Sequence, residues 1–204
     1  PGPIWLWAGP SGFTGVPCGA EYAGTVTCSP CPPSPPNDFC ADAIPLSGEP
    51  IVAFSNIGAT TDGPDEPALC ESGGDTQVES DIWYSYIPDC NAILTVSLCG
   101  SSYDTKLAIY QTDGTCPVQP SAIACNDDFC GLSSQIMLPV IGGAYYLFRV
   151  GGWNGAQGDG ILTITRDQPC PPPIPCVSVG YIQISPSDGL LNHYGVTGER
   201  NRYE

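Results

Sequence analysis

SDIWYSYIPDCNAILTVSLCGSSYDTKLAIYQTD, residues 80–113, is the stretch whose reading decides the fold class. Ile82, Tyr84 and Tyr86 alternate with Trp83, Ser85 and Ile87, and the run 93–98, Ile-Leu-Thr-Val-Ser-Leu, repeats the period of two. Leu107-Ala108-Ile109-Tyr110 makes a third run. Short apolar runs rich in aromatic and β-branched residues, cut by Pro88-Asp89 and Gly100-Ser101, predict strand, turn, strand, turn, strand, with one face of each strand buried.

Outward from this stretch the same texture covers residues 37–166. Strands are expected at Ile51–Ser55, around Ile123, at Ser134–Leu138, at Ala144–Val150 and at Gly160–Thr165, with Gly142-Gly143 read as a hairpin turn. Gly 25 and Pro 23 punctuate the chain continually and no window shows helical periodicity. About seven or eight short strands at regular spacing predict an all-β protein, an antiparallel β-sandwich of jelly-roll type.

Charge and cysteine content narrow the function classes. The 21 acidic residues face only five Lys and Arg, for a net charge near -16. Such a balance excludes nucleic acid and anionic membrane surfaces as partners, since both need clustered cations. No run of 18 apolar residues is present to insert in a membrane. Twelve cysteines in a Gly- and Pro-rich chain point to disulfides and export. Zinc has only the single CxxC of Cys28 and Cys31 to rest on, without a second pair or paired histidines. Cys90 and Cys99 bracket one strand and Cys125 and Cys130 bracket a turn, so both are expected as local pairs, with Cys40–Cys70 as a third.

Two flanks differ from the body. Residues 1–36 form an extended arm that begins, at what reads as a processed end, with the apolar tetrad Ile4-Trp5-Leu6-Trp7 and closes with the polyproline spacer Cys31-Pro32-Pro33-Ser34-Pro35-Pro36. The tetrad either folds back on its own body or docks on a neighbouring copy. Residues 167–204 start with a similar Cys-Pro linker, Cys170 to Cys176, and continue into a strand carrying Val179, Tyr181, Ile182 and Ile184, then a polar tail. A Cys-Pro linker on each side suggests one bead in a chain of modules.

Four motifs in order carry a family resemblance. Asp81-Ile82-Trp83-Tyr84-Ser85-Tyr86, Cys99-Gly100-Ser101-Ser102-Tyr103-Asp104-Thr105, Cys125-Asn126-Asp127-Asp128 and the run 145–152, Tyr-Tyr-Leu-Phe-Arg-Val-Gly-Gly, resemble the pre-peptidase C-terminal domain, in its cysteine-containing version from exported bacterial proteins. The resemblance covers about residues 37–166 and implies a jelly-roll sandwich, exported and non-catalytic, appended to hydrolases or strung along surface proteins. The tail also resembles a dockerin calcium loop faintly, but Leu190 and Tyr194 stand where aspartates are needed, so calcium binding and cohesin docking are not expected there.

The best metal ligands are Asp104, Asn126, Asp127 and Asp128, because relatives with a calcium site draw oxygens from such loops. Against this stands the common use of Asp and Asn to bond backbone amides in turns. His193 is the only histidine and no HExxH or GxSxG motif occurs, so no enzyme is expected. Trp83 and Trp153 are candidates for stacking on polysaccharide, with core packing as the competing role. The expectation is a non-catalytic extracellular subunit of a fibre or surface layer, joined head to tail to other copies of itself through Ile4, Trp5, Leu6 and Trp7, through the strand at residues 177–184, or through both. The alternative is an accessory carbohydrate- or protein-binding module of a secreted hydrolase.

Overall fold

The computed structural model describes residues 32–172. The residues expected to make assembly contacts, Ile4, Trp5, Leu6, Trp7, Val179, Tyr181, Ile182 and Ile184, lie outside them, as do Cys18, Cys28, Cys31, Cys176 and His193. Nine strands build the body: β1 (Ile44–Leu46), β2 (Ile51–Ser55), β3 (Glu79–Tyr86), β4 (Ala92–Ser97), β5 (Thr105–Thr112), β6 (Ala124–Asn126), β7 (Gln135–Val140), β8 (Tyr145–Gly152) and β9 (Asp159–Arg166). They form a five-stranded sheet in the order β1-β3-β8-β5-β6 and a four-stranded sheet in the order β2-β9-β4-β7. All pairings are antiparallel except the parallel contact of β1 with β3. The protein is an all-β, disulfide-stapled sandwich.

The core lies between the sheets. Ile82, Tyr84, Tyr86, Leu107, Ile109, Phe148 and Val150 from one sheet meet Phe54, Leu94, Val96, Leu138, Leu162 and Ile164 from the other, all buried. Burial of each such side chain is worth roughly 1.5–3 kcal/mol. Phe54 needs a glycine opposite: a Cβ on Gly160 would run into its ring.

The three strands of residues 80–113 divide between the sheets: β3 and β5 belong to one and β4 to the other, so the chain crosses the sandwich twice. Two expectations are corrected. Gly142-Gly143 is not a hairpin, because β7 and β8 sit in different sheets. It is a corner, with Gly143 at φ 78° and a Cβ on Gly142 excluded by the backbone of Cys90. Finally, β3, β5 and β8 are buried on both faces, not one. Residues 56–78 and 113–123 cover the outer face, where Val78, Trp83, Ala108, Tyr110 and Leu147 make a second apolar cluster. An Arg-centred network anchors this cover. Arg149 is fully buried and donates to Asp81, to the carbonyls of Pro64 and Val78, and to Gln77, while its guanidinium lies 5.5 Å from the Trp83 ring. A side chain on Gly63 would strike that guanidinium. Burial pushes the Asp81 carboxyl up, against the pull of Arg149.

The disulfides also differ from expectation. Cys40 pairs with Cys116, Cys70 with Cys125, Cys90 with Cys170, and Cys99 with Cys130. The expected pairs Cys90–Cys99, Cys125–Cys130 and Cys40–Cys70 do not form. Cys90 and Cys99 stand at the two ends of β4, and nine residues of extended chain span roughly 30 Å, far beyond the Cα separation of a disulfide. Cys125 lies within β6 and faces the outer cluster with Cys70, whereas Cys130 sits in the following turn beside the end of β4.

Candidate metal centre

The pairing of β5 with β6 builds an acidic site at one end of the five-stranded sheet. Leu107 lies opposite Asn126, so the residues after Asn126 fall beside those before Leu107. Asp104, just ahead of β5, thereby meets Asp127 and Asp128, and one carboxylate oxygen of each lies within 4.8 Å of the others. The Cys99–Cys130 bridge and the bond between the Thr105 and Ser134 hydroxyls hold the surrounding loops.

The fourth expected ligand is employed elsewhere. Asn126 Oδ1 accepts from the Gln135 backbone N–H at 2.9 Å, joining β6 to the start of β7 across the sandwich. This is the turn-residue role, and it occupies one of the two acceptor sites of that oxygen.

Two residues that the sequence reading passed over shape the site. Lys106 is fully buried and its ammonium donates to Asp75, to the carbonyl at 2.9 Å and to Oδ2 at 3.1 Å. Asp75 Oδ2 also accepts from Asn154 N–H, which is held at φ 49°. The loop at Ser72–Asp75 is thus tied over the end of the sheet, next to the carboxylates. The available signal was a lone lysine between Thr105 and Leu107, one of only five cations in the chain.

The carboxylates are under electrostatic stress. Burial, then the charges of Asp127 and Asp128, push the Asp104 carboxyl up, with Lys106 opposing. Burial also raises Asp127, as do Asp128 and Asp75, while Ser72 and Lys106 pull it down. Asp104 Oδ1 and Asp127 Oδ1 are enclosed and have no hydrogen-bond partner among the described residues. Clustered carboxylate oxygens are the kind of donor that a hard cation takes. Calcium takes six to eight such oxygens, and no imidazole or free thiolate is present in the cluster to select zinc.

The tryptophans divide. Trp83 is fully buried, with its indole N–H donated to Asp62 at 2.6 Å, so it is a core residue and not a glycan platform. Trp153 is half-buried, lies on Gly73 and donates to the Ser72 carbonyl at 3.1 Å. It helps to fix the loop above the acidic cluster.

No family model matches the chain, and no curated protein does. Among solved structures it is similar to PliG of Aeromonas hydrophila, a periplasmic inhibitor of g-type lysozyme, at 18% identity and a TM-score of 0.39, over 61% of this chain and 96% of that one. It is also similar to the pre-peptidase C-terminal domain of a collagenase from Bacillus anthracis, at 12% identity and a TM-score of 0.35, over 60% of this chain and 94% of that one.

Proposed function

We propose that the chain is a non-catalytic extracellular structural subunit that joins further copies of itself head to tail. The observation that supports this reading is where the two flanks leave the body. The carbonyls of Pro32 and Pro33 lie against Gly58, just beyond the Ser55 end of β2. Cys170 is bonded to Cys90, and the neighbouring Arg166 takes Glu49, just before Ile51, as its partner. The arm therefore enters at one end of β2 and the tail leaves at the other. A contact between different parts of successive copies does not close on itself and propagates. Four disulfides within the described body fit an oxidising, extracellular setting. Among the described residues no helix is long and apolar enough to cross a membrane.

In this reading the cluster of Asp104, Asp127 and Asp128 binds calcium, which neutralises the carboxylates and stiffens the loops at that end of the subunit. The assembly reading is tested by negative-stain microscopy and light scattering on the oxidised chain, intact and without residues 1–31. Filaments from the intact chain that vanish on deletion are expected. A monomer in both cases overturns the proposal.

A further inference from the structure

The sandwich is closed on one side and open on the other. On the closed side β7 carries Pro139, its Gln135 N–H is taken by Asn126, and β6 is only three residues long. On the open side β1 is also three residues long and contains Pro45, but β2 is a five-residue edge with neither proline nor charge. Its backbone phase is fixed at both ends. Ile164 N–H donates to the Pro50 carbonyl and Asn56 N–H to that of Gly158, so alternate residues Val52 and Phe54 face β9. The N–H and C=O groups of Ile51, Ala53 and Ser55 face outward, and no strand pairs with them among the described residues. An unblunted edge of this kind is a template for another strand.

Both faces beside this edge are apolar. On the core side a groove of about 410 Å³ opens between β2 and the chain's own residues 33–37, floored by Ile44, Phe54, Ile82 and Tyr84, with no charged residue in its lining. On the outer side a hollow of about 570 Å³ lies over Ala53, Gly160 and Ile161, with Asp159 as its one charge. A strand added here must be apolar on both faces, uncharged and about five residues long. Residues 4–8, Ile-Trp-Leu-Trp-Ala, meet all three conditions and are bounded by Pro3 and Gly9. With the period of two of an extended strand, Ile4 and Leu6 project to one side, and Trp5 and Trp7 to the other.

We infer that the free edge of β2 is the receptor for the Ile4–Trp7 tetrad of a second copy, which adds as an extra strand and fills the groove and the hollow on its two sides. This rests on the head-to-tail reading and names the surface through which it works.

The test uses the full oxidised chain and two variants, Ala53→Lys and Ala53→Pro. The lysine adds a charge at an exposed position. The proline removes an N–H that β9 does not use, so the sandwich keeps its ladder. Both variants are expected to melt with the parent yet to lose filaments, and Trp5→Ala with Trp7→Ala is expected to do the same. Hydrogen exchange supplies the direct readout: the amides of Ala53 and Ser55 should slow by at least about tenfold on assembly. Filaments from both Ala53 variants, with these amides still exchanging fast, overturn the receptor assignment and leave head-to-tail assembly standing. Equal protection in the dilute, unassembled chain places the chain's own arm on the edge and overturns the exchange between copies. Absence of filaments from the parent at any concentration removes both proposals.

Discussion

Replacing Asp104 with asparagine should stabilise the protein without calcium and abolish its response to calcium. Two unit charges 4.8 Å apart repel by about 0.9 kcal/mol at the dielectric of water and about 3.5 kcal/mol at an effective value of about 20. Asp104 and Asp127 are half-buried and Asp128 is exposed, so the interaction is screened towards the lower figure. With two such neighbours, the charge on Asp104 costs the metal-free fold about 2 kcal/mol. For a domain of this size that is a rise in Tm of roughly 5–10 °C for Asp104→Asn in chelator. Calcium at about a hundred times its Kd should stabilise the parent by about 2.7 kcal/mol and leave the variant unmoved. The pH dependence follows the same sign. A carboxyl whose pKa is raised by folding contributes stability that is complete below its ordinary value near 3.8 and lost as pH rises through the folded value. Metal-free parent should therefore lose this contribution between acid and neutral pH, and calcium should restore it. Differential scanning calorimetry from pH 4 to 7, with chelator and with calcium, reads all of this. A parent whose Tm ignores calcium, together with a variant that melts lower in chelator, would refute the reasoning.

Other outcomes are expected from the same structure. Asn126→Ala should leave the calcium shift of the melting curve intact while lowering stability by about 1–3 kcal/mol, because Gln135 N–H loses its acceptor. Arg149→Met strands the buried Asp81 carboxylate and should cost about 3–5 kcal/mol in urea unfolding, whereas Arg149→Met with Asp81→Leu should recover much of that loss. Peptide mapping without reduction should recover Cys90 linked to Cys170 and Cys99 linked to Cys130, and removal of the Cys90–Cys170 pair should cost about 2–5 kcal/mol.

The period of two made the strands readable because it records alternation across a pleat, and β2, β4, β7 and β9 show it plainly. It says nothing about which sheet a strand joins. Ile93–Leu98 follows Tyr86 closely in sequence yet lies across the core from it. β1 leaves no mark in the sequence, because three residues around Pro45 give no period to detect. The cover on Trp83 and Arg149 comes from residues 56–78, and only its distant partners Pro64, Gln77 and Val78 explain an arginine amid apolar neighbours. Three of the four expected ligands come together because a pairing register placed them. Asn126 and aspartate look alike as oxygen donors, and only the position of Gln135 separates their roles. Nearness in sequence does not predict the disulfides, since the rise of an extended strand alone separates Cys90 from Cys99.

The Cys40–Cys116 and Cys90–Cys170 bridges have a mechanical consequence. Tension applied through the two flanks reaches Cys40 at one end of the body and Cys170 at the other. The shortest covalent route between them crosses to Cys116, runs forward to Cys130, crosses to Cys99, runs back to Cys90 and crosses again to Cys170. That route contains 23 residue steps, 14 from Cys116 to Cys130 and 9 from Cys99 to Cys90, in place of the 130 from Cys40 to Cys170. At about 3.5 Å per step, with three bridges to cross, a subunit torn completely open can lengthen to only roughly 100 Å, against roughly 450 Å after reduction. In the proposed thread, each subunit would have a short, covalently enforced limit of stretch, and a reducing agent is what would release its slack.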